Sequence, residues 1–379
     1  MKIFISESST AVGGQELAVL LHAEGLIKRG HELQLILEPG SPICAMALAK
    51  GLPVRQVPMK RSQYPSAIRT FRRLLLSEHP AILQVNSSRD SWIGSIASRL
   101  VSDRPKIIRM RHTSAPLNRS RTTRLLYRHL LDFVIVTGGE RTKRGLVERD
   151  GLDPHRVAAF PIGIDVSHFR PAPPDPDLRQ ELGLPGGCQL VGLISYLRTY
   201  KGHKYFVEAA ERVLTQHKDV IFLIVGDGPE EAAIRGHIES RGLSEQVRML
   251  GGRYGEDLLN VFRSLDLFVI PSVEGDTIPQ VLMQALAMGL PVVSTTVGSI
   301  PDVIFDGETG FIVPPRDSLA LADRIERLLD NVSLRADFGE RGRALVERSY
   351  SLDRMLEELE RVYKNVLAGQ RDSGVRLHV

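Results

Sequence analysis

The sequence predicts an α/β protein built from two doubly wound domains, and three observations carry that prediction. Short apolar runs alternate with segments of helical periodicity, a proline-rich stretch interrupts the alternation, and the alternation then restarts. Brief apolar runs bounded by turn residues read as strands buried on both faces, and strand–helix–strand alternation demands a parallel sheet. A length of 379 residues suits two domains, perhaps three, at about 150 residues each.

The elements follow in order. Lys2 to Ser6 reads as a buried strand, Gly13-Gly14 breaks the chain, and Leu17, Leu20, Leu21 and Ile27 recur at helical spacing until Gly30. Leu33 to Leu37 closes this first strand–helix–strand unit. Ala81 to Val85, Lys106 to Arg109 and Phe133 to Val136 are further strand candidates, each followed by a polar loop. Between Arg170 and Pro185 lie five prolines, enough to prevent a regular helix or central strand. Strands resume at Leu190 to Ser195, Ile221 to Val225, Leu267 to Ile270 and Pro291 to Thr295. The last helix, about Leu352 to Val366, is amphipathic through Leu352, Leu356, Leu359 and Val362. The expected boundaries are 1–170, 171–350, and a C-terminal helix and tail over 351–379 that packs back on the first domain.

Composition narrows the function. The chain is 42% hydrophobic and 25% charged, with a formal charge of +4, too small for a dedicated nucleic-acid binder. No apolar run approaches the ~20 residues needed to span a bilayer. Met1 to Ile5 turns polar at once, without the apolar core of a signal peptide. Cys44 and Cys188 stand far apart and offer neither a disulfide framework nor zinc spacing. The expected location is cytoplasmic.

Three loops after strands of the second half carry the chemistry. Arg198 and Lys201, three residues apart and leading into a helix, suit a diphosphate: free N–H groups and the helix dipole attract the anion while two cations neutralise it. Gly226-Asp227-Gly228-Pro229 resembles a dinucleotide fingerprint without its third glycine, and reads equally well as a tight turn with no ligand. In the third loop, Pro271 to Gln280, Glu274 can bind sugar hydroxyls and the helix starting near Pro279 can hold phosphate. Gln284, on that helix, can reach a ribose.

Gly13-Gly14-x-Glu16, Gly163-Ile164-Asp165-x-x-x-Phe169-x-Pro171, Arg198-x-x-Lys201-Gly202, Val225-Gly226-Asp227-Gly228-Pro229 and Pro271-Ser272…Glu274…Ala285…Gly289-x-Pro291-Val292-Val293 stand in this order. Together they resemble the family-4 retaining glycosyltransferases of the GT-B fold, two Rossmann-like domains facing a cleft, over residues 1 to about 365. The resemblance implies a nucleotide-diphosphate sugar donor, an acceptor hydroxyl and retention of anomeric configuration. It implies that Arg198 and Lys201 hold the diphosphate, that Glu274 binds the sugar's hydroxyls, and that backbone N–H groups near Thr277 and Ile278 assist. Gly226 and Gly228 would border the donor, as would Gly13 and Gly14, which would let the first-domain loop approach donor phosphate and acceptor. His112 would face the donor sugar, although a lone histidine is more often structural. One departure stands out: the family pairs two glutamates, but the second position here is Gln284, and two extra residues separate it from Glu274.

Asn86, Ser87, Ser88 and Asp90 read as acceptor contacts or as a plain helix cap. The departing phosphate oxygen would take the acceptor's proton, and the two cations would do the work of a metal ion, so no cofactor is expected. Asp175-Pro176-Asp177 matches a D-x-D metal signature by chance, inside the proline stretch. Rival readings are a nucleotide-sugar epimerase of the same fold and a weakened binding module. Residues 60–130 hold 15 Lys/Arg against three acids, which points to anionic lipid headgroups or a phosphorylated, lipid-linked acceptor rather than nucleic acid. Cell-surface polysaccharide, lipopolysaccharide or glycolipid synthesis at the inner membrane face fits such a partner.

Overall fold

The computed structural model describes residues 1–11 and 13–370; the expected tail beyond 370 lies outside them. Two compact units form. The first comprises Met1–Gly163 together with the helix from Leu352, and the second comprises Ile164–Ser351.

The first unit holds the strands β1 (Lys2–Glu7), β2 (Glu32–Leu37), β3 (Val54–Gln56), β4 (Ile82–Val85), β5 (Lys106–Arg111), β6 (Phe133–Val136) and β7 (Val157–Ala159). Their order is β3-β2-β1-β4-β5-β6-β7, and every pairing is parallel. Side chains alternate between faces as the pleat requires. Ile3 and Ile5 pack with Leu26, Ile43 and Leu359 on one side, whereas Phe4 packs with Phe71, Ile93 and Leu126 on the other.

The helix Leu352–Leu367 buries Met355, Leu356, Leu359, Val362 and Tyr363 in this unit's core. A Cβ on Gly25 would overlap the Leu356 side chain, so glycine lets the two helices close. Glu360 fastens the contact, accepting from Arg29 at 3.0 Å and lying 2.8 Å from His31.

The second unit holds β8 (Gln189–Ile194), β9 (Val220–Val225), β10 (Val247–Gly251), β11 (Leu267–Ile270), β12 (Val292–Thr295) and β13 (Phe311–Val313). Their order is β10-β9-β8-β11-β12-β13, again parallel. Both sheets therefore reverse direction beside their first strand, at β1/β4 and β8/β11, and such switch points are where ligands bind.

The four strands missing from the expected set, β3, β7, β10 and β13, are the four sheet edges. An edge strand is paired on one side only and can be short, so little sequence signal accumulates there. The proline stretch also differs from expectation, because it contains a helical turn, Leu178–Glu181. Pro176 and Pro185 leave residues 177–184 free of proline; Asp177 caps the turn and Leu178 is buried. Asp175 donates its N–H to Asn260 Oδ1 at 2.7 Å. This stretch is docked on the second unit rather than being a free linker.

Candidate active site

In the second unit, the loops after β8, β9, β11 and β12 are built against one another. Gly202, with φ 78°, sits where a Cβ would overlap the Pro271 carbonyl, and a Cβ on Gly226 would overlap that of Ser195. A Cβ on Gly228 would lie 2.6 Å from the Leu197 carbonyl oxygen, and one on Gly298 would overlap that of Asp276. Backbone bonds complete the stack: Leu197 N–H to Asp227 O, 2.8 Å, and Val273 N–H to Tyr200 O, 2.8 Å. Gly226 and Gly228 are thus required by loop-on-loop packing whatever ligand they border. That reason is visible in the backbone and not in the motif.

The first of these loops presents the two cations. Arg198 is exposed, its guanidinium 5.1 Å from the Tyr196 ring centroid. Lys201 ends a short 3-10 turn and precedes the helix His203–Val213, whose entry residue Gly202 takes the left-handed conformation. Buried His203 braces the loop from below, 3.0 Å from Ser195 Oγ, and burial pushes its pKa down to about 4.

Lys201 Nζ donates to both carboxylate oxygens of Asp276, at 2.7 and 2.9 Å, and Asp276 also accepts from the Ser272 hydroxyl. An ammonium has three protons, so this pairing leaves one for another oxygen. Glu274 stands elsewhere: its side chain is 70% exposed and meets Arg316 at 3.4 Å. The structure therefore brings Asp276, not Glu274, to Lys201. Asp276 also lies eight residues before Gln284, which removes the two-residue excess counted from Glu274. That spacing was the signal available in the sequence.

Thr277 and Ile278 are buried, and neither N–H has an acceptor among the described residues. They lead into the helix Gln280–Ala287. Gln284 is buried on it with an unpartnered Oε1, an acceptor whose desolvation is uncompensated until a donor arrives. Asp175 and Asp177 belong to none of this: Asp177 caps its own turn and pairs with Arg179 at 3.2 Å.

In the first unit, the carboxyl ends of β1, β4, β5 and β6 carry a second polar cluster. Gly13 precedes the helix Gly14–Lys28 in extended backbone, φ −159°, and a Cβ there would stand 3.4 Å from Glu16. Neither conformation nor crowding demands glycine at 13. Glu7, at the end of β1, accepts from Gln15 Nε2 at 2.6 Å, from the Ser9 N–H at 2.7 Å and from the Ser87 hydroxyl. Burial raises its pKa. No motif marked Glu7, because an acid ending a strand has no spacing signature.

The expected acceptor residues are mostly occupied by the protein itself. Asp90 is fully buried and accepts from the N–H groups of Asn86 (2.8 Å) and Ser87 (3.0 Å) and from the Ser8 hydroxyl (3.1 Å). Burial and then the nearby Glu7 charge push its pKa up to about 7. Asn86 donates to the Ser6 carbonyl at 2.9 Å. Of the two readings, the start of the helix Ser88–Arg99 accounts for Asn86, Ser87 and Asp90. Ser88 is the exposed member of the four.

His112 follows β5 directly. Its Nδ1 lies 3.0 Å from Thr137 Oγ1, and its buried Nε2 has no partner. Burial, helped by nearby His22 and Arg109, pushes its pKa down to about 3.

The basic stretch is partly internal. Arg109 and Arg111 are buried, and Arg104 pairs with Asp132 at 2.7 Å. Two stripes stand out in the exposed remainder. Arg69, Arg72, Arg73 and Leu76 lie on the helix Tyr64–Glu78, and Arg121, Arg124, Leu125 and Arg128 lie on the consecutive helical segments Arg121–Leu125 and Leu126–Leu130. Both sets are spaced i, i+3, i+4, i+7, which on the helix Tyr64–Glu78 is one face.

Two Rossmann-like sheets, with paired cations beside a helix start at the second sheet's switch point, define the GT-B glycosyltransferase class. Residues 174–345 match the model for glycosyl transferases group 1, and residues 12–168 match that for glycosyltransferase family 4. The chain belongs to this glycosyltransferase family.

Among its relatives, the D-inositol 3-phosphate glycosyltransferase of Corynebacterium diphtheriae is 31% identical over 61% of this chain and 56% of its own length. The alpha-D-kanosaminyltransferase of Streptomyces kanamyceticus is 30% identical over 50% of this chain and 49% of its own length, so the chain spans about half of these two relatives. The phosphatidyl-myo-inositol mannosyltransferase of Mycobacterium leprae is 28% identical over 93% of both chains. A glycosyltransferase from Rickettsia africae has the same fold, with a TM-score of 0.86 at 19% identity over 97% of this chain and 98% of that one. Anabaena HepE, solved with UDP and glucose, gives 0.84 at 20% identity over 96% of this chain and all of that one.

Proposed function

We propose that this protein transfers a sugar from a nucleotide-diphosphate donor to an acceptor hydroxyl, with retention of configuration. The observation that carries the reading is the Arg198–Lys201–Asp276 constellation at the switch point of the second sheet. When the sugar–phosphate bond breaks, negative charge grows on the departing diphosphate. Arg198 and the third proton of Lys201 stabilise that charge, and the N–H groups of Thr277 and Ile278 add donors already in place before reaction. Asp276 accepts from sugar hydroxyls while holding Lys201 in register, and the Gln284 Oε1 accepts from a ribose hydroxyl. The departing phosphate oxygen takes the acceptor's proton, so the reaction needs no separate carboxylate base. The epimerase and binding-module readings gain no support from this arrangement, which provides for a leaving diphosphate.

The Asp276 assignment predicts an asymmetry between neighbouring carboxylates. Asp276→Asn is expected to lower acceptor-dependent nucleotide release by about ten- to hundred-fold, the cost of a lost hydrogen bond to a charged group. Glu274→Gln should stay within about two-fold, because an exposed ion pair contributes little. The opposite ranking in steady-state assays returns the role to Glu274.

Two relatives are named for inositol-based acceptors, one of them a phospholipid. With the two arginine–leucine stripes, this supports a phosphorylated or lipid-linked acceptor met at an anionic membrane face, in cell-surface polysaccharide or glycolipid synthesis. No helix among the described residues is long and apolar enough to cross a membrane. The protein is expected to co-sediment with vesicles containing anionic lipid, to leave them as salt rises, and to ignore neutral ones. Equal binding to both vesicles, or to neither, removes the membrane contact.

A further inference from the structure

Thr137 sits at the carboxyl end of β6, next to the end of β5, and the strand register pairs Val136 with Arg111. Its N–H donates to the Arg111 carbonyl at 2.9 Å, which anchors the backbone. Its hydroxyl has two neighbours: the same carbonyl at 3.2 Å and His112 Nδ1 at 3.0 Å. A hydroxyl has one proton to give and lone pairs to receive. A carbonyl oxygen can only accept, so the contact with Arg111 uses the hydroxyl proton. What remains toward Nδ1 is a lone pair, and that contact is a hydrogen bond only if Nδ1 carries the proton.

A neutral imidazole has one proton, so protonation at Nδ1 leaves Nε2 as a bare acceptor. Its environment keeps the ring neutral, with buried His22 and Arg109 nearby. Nε2 is buried and lacks a partner among the described residues, and neither nitrogen of His22 has one. A buried lone pair without a donor is costly, and the group that relieves it must supply an O–H or N–H.

We infer that Thr137 is a positioning residue that fixes His112 in the Nδ1–H tautomer, so that Nε2 receives a hydrogen bond from a sugar hydroxyl of the substrate. This rests on reading His112 as a substrate contact. The opposite tautomer would aim an N–H at that hydroxyl and force the hydroxyl's own proton elsewhere. The pairing thus selects a substrate that donates at this point: a sugar bearing a free hydroxyl there, not its deoxy or O-methyl counterpart.

The test separates the tautomer from its use. Imidazole nitrogen NMR of the whole protein is expected to show His112 protonated at Nδ1 and bare at Nε2. In Thr137→Val the two tautomers should mix, while Thr137→Ser restores the wild-type pattern. With the preferred donor and acceptor, Thr137→Val should lose roughly ten-fold to a hundred-fold in kcat, the range for removing the partner that orients a functional imidazole. Thr137→Ser should recover most of that loss, with unchanged thermal midpoints confirming the fold. A wild-type spectrum with Nε2 protonated, or an unaltered spectrum in Thr137→Val, overturns the inference. A shifted tautomer with full turnover overturns the role of His112 in transfer and leaves the reading of Arg198, Lys201 and Asp276 standing. That failure is therefore distinct from a failure of the transferase reading, which would show as no acceptor-dependent turnover in the wild-type protein.

Discussion

Lys201→Ala is expected to lower turnover by roughly two to three orders of magnitude, as removal of one preorganised charge partner of a transition state does. The ammonium of Lys201 is held in place, because its side chain is 12% exposed and two of its protons are committed to Asp276. Truncation removes the remaining donor and takes the Lys201 ammonium away from the Asp276 carboxylate, which is 11% exposed. A site that has lost one cation attracts the diphosphate less, so donor affinity should fall along with kcat. Lys204→Ala supplies the control, because Lys204 is 65% exposed and only 3.9 Å from Glu208 at i+4; its turnover should match wild type. If Arg198 and Lys201 do the work of a metal, excess chelator leaves the wild-type rate unchanged. Activity restored only by added Mg²⁺ or Mn²⁺ would remove that part of the mechanism, and a Lys201→Ala protein of near-normal kcat would remove the rest.

The second large effect concerns stability. Gly226→Ala should destabilise the second unit by about 3 kcal/mol or more, since it combines a disfavoured backbone conformation with overlap of a neighbouring backbone. Gly226 has φ 144°, and its new methyl would collide with the Ser195 carbonyl, which cannot retreat without moving the loop that holds Arg198. For a unit of this size the thermal midpoint should drop by roughly 6–12 °C. Gly236→Ala is the matched comparison, on the helix Glu231–Ser240 with nothing near the added methyl. It should be neutral or stabilising by up to about 1 kcal/mol. Equal midpoints for the two variants in calorimetry would show that the loops do not depend on this close approach.

How far the protein was legible from its residues depended on where each one sits. Ile3 to Ile5, Leu190 to Leu193 and Leu267 to Ile270 announce themselves because a strand covered on both faces must be apolar throughout. The C-terminal helix announces itself because Leu356, Leu359 and Val362 repeat at the period of one buried stripe. The edge strands and the turn Leu178–Glu181 carry no such requirement, and their residues leave little trace.

The site divides in the same way. Arg198, Lys201 and Gln284 could be proposed from the sequence because the chemistry of a diphosphate donor calls for such residue types and the loops dictate their spacing. The choice between Glu274 and Asp276 was not settled by residue type, since both are acids two positions apart in one loop. Only the folded backbone decides which of them turns toward Lys201. Asn86, Ser87 and Asp90 looked equally suited to a ligand or a cap, and the Asp90 hydrogen bonds show the cap.

The sequence by itself determined the two doubly wound sheets, the cations at the second switch point and the family, because burial and phosphate chemistry act on residue type and local spacing. Tertiary structure alone decided which carboxylate meets Lys201, why Gly226 and Gly228 must be glycines, and that Thr137 stands behind His112. Each of those depends on groups from different strands meeting within hydrogen-bond or van der Waals distance, a relation that the order of residues does not contain.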